Sequence, residues 1–178
     1  MERKLILYIA TSLDGYIART NGEIDWLEKE GEALNTDCGY AEFYKSIDTV
    51  IMGNKTYEQI MGWGEYPYKG TTGYVYTTNS NLDTEDVSFT QLEPTELMRE
   101  LKSKPGKDIW LIGGAKLIRE FVKSNLIDEY IITVMPVLIG DGIHLFEAND
   151  IEDIRLELKE SKVFDNVVQY HYVKRKVK

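Results

Sequence analysis

Short β-rich runs alternate with amphipathic helical stretches over the first two thirds of this chain, and strands alone follow. That order admits few folds: an α/β sheet whose parallel strands are joined by helices, with an antiparallel C-terminal edge. Residues 5–10, a compact apolar run, suit a strand buried on both faces. Residues 11–15 break it, and Asn21-Gly22 signals a turn. Asp25 is expected to cap a short acidic helix, with Glu28 in the capping-box position. A helix over 40–46 leads into a second buried strand, 48–53, and 55–61 reads as a helix ended by Gly62. A third strand covers 73–78 and a short fourth 87–89. Pro94 opens a helix that Pro105-Gly106 stops. Residues 108–112 form a strand running straight into Gly113-Gly114, after which Leu117, Ile118, Phe121 and Val122 share one helical face. Residues 130–135 make a strand ended by Pro136, and 155–163 with 167–173 form a hairpin about Asp165-Asn166. With no internal repeat and no linker, the 178 residues are expected to make one domain.

Several functional classes are disfavoured at this level. The chain holds 30 acidic against 21 basic residues, a net charge of −9, so its field repels phosphate backbones and no nucleic-acid partner is expected. The basic tail Lys174-Arg175-Lys176 with Lys178 reads as a solvated strand end. No run approaches the roughly 18 apolar residues of a membrane span, and the N-terminus lacks a secretory pattern. The single cysteine, Cys38, excludes an internal disulfide, and a cytoplasmic protein acting on a small molecule is the expectation. His144 and His171 stand far apart, so no metal site is encoded at a recognisable spacing, and Ser12 lacks the context of a serine nucleophile.

In open α/β sheets, ligands gather at the carboxyl ends of strands beside helix N-termini. Three such ends carry suggestive residues. Ile112-Gly113-Gly114-Ala115 lets a ligand approach the backbone, and the helix start offers N–H groups to phosphate. Gly53-Asn54-Lys55-Thr56 repeats the strand–glycine–helix passage with Lys55 and Thr56 available to a phosphate, although Walker spacing is absent. Thr77-Thr78-Asn79-Ser80 is a hydroxyl-rich strand exit that also reads as a locally capped turn. Together they suit a long cleft for an extended phosphate-bearing ligand. Asp37 and Glu42 flank the helix before the second strand and are expected to face that cleft. Trp63, Tyr66 and Tyr68 lie in a loop that covers a planar ligand or packs on the rim.

These motifs, in this order, resemble the dihydrofolate-reductase-like superfamily. The resemblance rests on residues 12–18 and 25–27, on Ile51-Met52-Gly53-Asn54-Lys55-Thr56-Tyr57-Glu58 and on Ile112-Gly113-Gly114-Ala115. The segment 134–143 with Leu145-Phe146 is similar to the reductase domain of riboflavin biosynthesis and its free-standing bacterial relatives. The resemblance implies an eight-stranded, mostly parallel sheet with an antiparallel C-terminal edge, a homodimer, and NADPH across the strand ends. In that frame Gly113 and Gly114 pass the pyrophosphate, with their peptide often cis, flanked by Ile112 and Ala115. Residues 10–18, Ala10 and Ile17 among them, face the nicotinamide, Asn54 to Thr56 after Gly53 the adenosine-side phosphates, and Thr77, Thr78 and Asn79 the adenine ribose. Asp14 and Trp26 fall to the substrate, and Asp37 and Glu42 are the carboxylates available for proton delivery.

Asn54 departs from the family pattern, which usually has arginine there; an amide cannot clamp a 2′-phosphate bidentately, so NADH stays open beside NADPH. No zinc signature of a deaminase domain is present. The implied activity is nucleotide-dependent reduction of a C=N or C=O heterocycle or ribosylaminopyrimidine, similar to 5-amino-6-(5-phosphoribosylamino)uracil reductase. Dihydrofolate reductase proper and a non-catalytic nucleotide-binding dimer are the alternatives.

Overall fold

The computed structural model describes residues 2–79, 83–147 and 153–175; Ser80, Lys176 and Lys178 lie outside them. Eight strands form one sheet: β1 (Leu5–Ser12), β3 (Ile47–Gly53), β4 (Thr72–Tyr76), β5 (Val87–Thr90), β6 (Asp108–Gly113), β7 (Glu129–Met135), β9 (Leu156–Phe164) and β10 (Val167–Lys174). Their spatial order is β5-β4-β3-β6-β1-β7-β10-β9. The six strands from β5 to β7 run parallel. β10 turns back antiparallel along β7, and β9 along β10. The mostly parallel sheet with an antiparallel C-terminal edge is therefore present, as the alternation of strands and helices dictates.

Helices cover both faces, which is why the parallel strands are apolar at successive positions instead of alternate ones. On one side, α4 (Pro94–Lys102) and α5 (Ala115–Lys123) set Leu97, Leu101, Ile118 and Phe121 against Leu5, Leu7, Ile109 and Leu111. On the other, α2 (Tyr40–Ser46) and α3 (Asn54–Gly62) set Phe43 and Ile60 against Ile6, Val50, Met52 and Val75. Each such side chain, fully buried, contributes about 1.5–3 kcal/mol.

Three local features differ from the sequence expectations. β1 continues to Ser12, because its pairing with β7 carries through Thr11 and Ser12. α1 (Asp25–Ala33) starts at Asp25 without a side-chain cap. The Asp25 carboxylate instead accepts from Arg19 and from Lys29 (3.3 Å), because a charge-assisted bond outcompetes a capping one. A two-stranded sheet, β2 (Tyr16–Ala18) with β8 (Ile143–His144), joins the loop after β1 to the loop after β7.

The two ends of the parallel sheet are built differently. At the amino ends, Arg3 is 6% exposed and ion-paired with Asp48, and it donates to Thr49 Oγ1 (2.7 Å) and to the Lys107 carbonyl (2.6 Å). That network ties β1, β3 and the approach to β6 together. The carboxyl ends instead open onto a cavity. Among the described residues no helix is long and apolar enough to cross a membrane.

Candidate active site

A single cavity of about 1710 Å³ runs along the carboxyl ends of β4, β3, β6, β1 and β7. Pockets for one small ligand are commonly about 300–1,000 Å³, so this one has room for a dinucleotide and a second molecule. Every one of Ala10, Ile17, Gly53, Asn54, Lys55, Thr56, Thr77, Thr78, Asn79, Ile112, Gly113, Gly114 and Ala115 borders it. Three strand exits far apart in sequence thus meet in one groove, which the parallel register of β4, β3 and β6 brings about.

The centre of the groove is a pair of helix starts. α3 begins after Gly53 and α5 after Gly114; neither has a side-chain cap, and neither has an acidic residue in its first turn. Their first N–H groups and positive dipole ends are left for an anion, with Lys55 and Lys116 beside them. The other helices differ, with acidic first-turn residues Asp25 and Glu28 in α1, Glu42 in α2 and Glu96 in α4. Gly113 has φ +134°, a conformation that L side chains rarely adopt, and the Gly113–Gly114 peptide is cis. A Cβ on Gly114 would stand 3.5 Å from Thr56 Oγ1, tolerable for the fold but projecting between the two helix starts. Glu120 and Glu147 also border the groove, and Arg119 pairs with them at 3.2 and 3.4 Å. The Asn54 amide donates to Glu58 (2.7 Å), and Asn79 N–H donates to Thr77 Oγ1 (3.0 Å), the local turn cap.

Beyond β6 the groove widens into an aromatic recess bordered by Tyr8, Tyr40, Tyr68, Trp63 and Trp110. Tyr66, from the same loop as Trp63 and Tyr68, is instead 6% exposed in the core. Asp37 borders the recess, and its carboxylate accepts from Gly39 N–H and Ala41 N–H (2.9 Å each). The backbone bonds from Ala41 and Gly39 hold its pKa below the usual 3.8, so it is an anion at neutral pH and a poor proton donor. Tyr8 donates to the Cys38 carbonyl (3.4 Å), and burial pushes its phenol up to about 12, so it stays protonated.

Three of the sequence candidates stand elsewhere. Glu42 borders a separate recess of about 190 Å³, with Glu160, Lys162 and His171, because it projects from the opposite flank of α2. Asp14 does not border the groove: it accepts from Ser12 Oγ (2.6 Å), Gly140 N–H (2.8 Å) and Ile139 N–H (3.3 Å). It thereby fastens the loop after β1 to the loop after β7, and the Ser12 hydroxyl chiefly lowers its pKa. Trp26 is 3% exposed, packed with Met135 and Val167 beneath the recess. Patterning along the sequence does not mark Tyr40, Trp110 and Thr133, which border the groove through cross-strand pairing and the return of the chain before α2, nor Gln169, which borders the smaller recess and donates to Thr133 from behind.

Comparison with known proteins agrees with this geometry. A 45% identical relative, the uncharacterized protein YwjB of Bacillus subtilis, aligns over 98% of this chain and 99% of its own length. A crystal structure of a putative riboflavin biosynthesis protein from Shewanella sp. PV-4 superposes with a TM-score of 0.85 at 27% identity, covering 99% of this chain and 100% of that one. Dihydrofolate reductase from Enterococcus faecalis, solved with NADP(H), shares the fold at 17% identity and a TM-score of 0.64, covering 99% of this chain and 100% of that one. The family model for the RibD C-terminal domain matches residues 3–170, and by that match, on this sheet and these strand exits, the chain belongs to the RibD C-terminal domain family.

Proposed function

We propose that the protein is a reductase that takes a reduced pyridine nucleotide, NADPH or NADH, and reduces a C=N or C=O bond of a small heterocycle. The observation that carries this reading is the facing pair of uncapped, glycine-led helix starts with Lys55 and Lys116, set midway along a groove large enough for a dinucleotide. The glycine passage fits a pyrophosphate, because side-chain-free backbone admits close approach there. The dihydrofolate-reductase-like fold, and the NADP(H) in the structure of the Enterococcus faecalis enzyme, support the choice of nucleotide.

Gly53 to Thr56 and Gly113 to Ala115 would hold the nucleotide, whose reduced nicotinamide would supply a hydride to the acceptor carbon and be oxidised, with water supplying the proton to the heteroatom as the double bond becomes single. The chain's own work is orientation and electrostatics. Ala10 and Ile17 wall the groove where β1 leaves the sheet, and the aromatic recess opens beside them. Asp37, already an anion, stabilises positive charge on an acceptor protonated at nitrogen and does not itself supply the proton. Gly114→Val tests the reading: it should retain the wild-type circular dichroism and lose nucleotide binding. A folded Gly114→Val protein with wild-type nucleotide affinity would remove the assignment.

A further inference from the structure

The floor of the aromatic recess holds a polar group without a full set of partners. Gln169 on β10 lies directly opposite Thr133 on β7. Its Nε2 donates to the Cys38 carbonyl (3.2 Å) and to Thr133 Oγ1 (2.9 Å). A carbonyl only accepts, so the Cys38 oxygen fixes which end of the amide points inward. Thr133 Oγ1 must then accept, which leaves its own hydrogen to donate. Thr133 is 6% exposed and borders the groove, and it donates no hydrogen bond to any described side chain. A buried donor without an acceptor is costly, and an acceptor atom on a ligand would satisfy it.

The walls of the recess restrict the rest of that ligand. The Trp110 ring stands 6.1, 5.9 and 5.3 Å from the rings of Tyr8, Tyr40 and Tyr68. Such a group of aromatic faces and edges favours a flat partner. Charge along the groove is mixed, with the carboxylates Glu93, Glu120 and Glu147 bordering it as well. The cations that border it are Lys55 and Lys116, at the starts of α3 and α5, whereas on the α2 side the bordering charge is Asp37. A phosphate group in the recess would carry nearly two negative charges against that carboxylate, with both lysines engaged at the nucleotide end.

We propose that the acceptor is a flat heterocycle without a phosphate group, seated with a ring carbonyl or ring nitrogen on the Thr133 hydroxyl and its electron-poor edge toward Asp37. The inference rests on the reductase reading above. It separates this chain from enzymes whose substrate bears a phosphoribosyl group.

The test uses the full chain saturated with oxidised nucleotide, saturation being read first from tryptophan fluorescence. The probes are 5-amino-6-ribosylaminouracil and its 5′-phosphate. The unphosphorylated probe should bind about tenfold more tightly than the phosphorylated one, the equivalent of one lost charge-assisted contact. Asp37→Asn, which keeps a capping side chain before α2, should narrow that ratio. Thr133→Val should weaken the unphosphorylated probe about tenfold while nucleotide affinity holds and the melting temperature falls only by the cost of the Gln169 hydrogen left without an acceptor. Equal or tighter binding of the phosphate, or no binding of the unphosphorylated probe, overturns the proposal; a Thr133→Val protein with unchanged probe affinity removes the seat on Thr133. Failure of the nucleotide to bind is a separate result, visible before either probe is added, and it removes the reductase reading and this inference together.

Discussion

Asn54 occupies the first position of α3, and its amide is held by Glu58 one turn on. A neutral amide tied to a carboxylate offers little to a 2′-phosphate, and Lys55 beside it is a single point charge. Asn54→Arg should therefore raise NADPH affinity relative to NADH by about tenfold, the value of one bidentate charge-assisted contact. The ratio of the two dissociation constants, compared with wild type, reads this directly. An unchanged ratio would place the 2′-phosphate away from α3. Asp14 and Asp37 show how differently two carboxylates behave near one site. Asp14 spends its oxygens on the loop after β7, whereas Asp37 uses backbone N–H groups to remain an anion beside the recess.

At the level of elements, β7 carries both a seat for ligand and a buried ion cluster. Glu129, 6% exposed at its start, accepts from Lys4 (2.5 Å), His171 (2.5 Å) and Lys159 (3.4 Å). Burial pushes its carboxyl up, but the hydrogen bonds from Lys4 and His171 and the charge of Lys159 outweigh it, leaving the pKa below 4.5. A carboxyl whose folded pKa is depressed stabilises the fold fully above its unfolded value and loses that contribution as pH falls through the folded one. Stability to denaturant should thus decline below about pH 4.5, and Glu129→Gln should flatten that decline. Equal pH slopes for the two proteins would contradict the assignment. Elements of this kind were unequally legible in the sequence. The parallel strands and the glycine passages announced themselves through apolar runs and turn chemistry, and the groove residues followed from strand exits. Thr133 and Gln169 did not, because each is an unremarkable polar residue in its own strand until the β7–β10 register sets them side by side. Trp26 was misplaced for a related reason: its burial depends on Met135 and Val167, more than a hundred residues later.

Across the whole molecule, the sheet is fastened at one end and open at the other. The Arg3 network closes the amino ends of the strands, and the glycine-led helix starts and the aromatic recess occupy the carboxyl ends. β9, exposed along nearly its whole length, closes the C-terminal edge with Leu158 and Val163 turned outward. Against a net charge of −9, anion binding must come from local geometry, since the long-range field opposes it. The most direct measurement is a titration of the purified wild-type protein with NADPH and NADH in parallel, followed through tryptophan fluorescence, because Trp63 and Trp110 border the groove. Saturable quenching by at least one of the two nucleotides, with one site per chain, is the predicted result. No binding of either nucleotide would contradict the account at its centre.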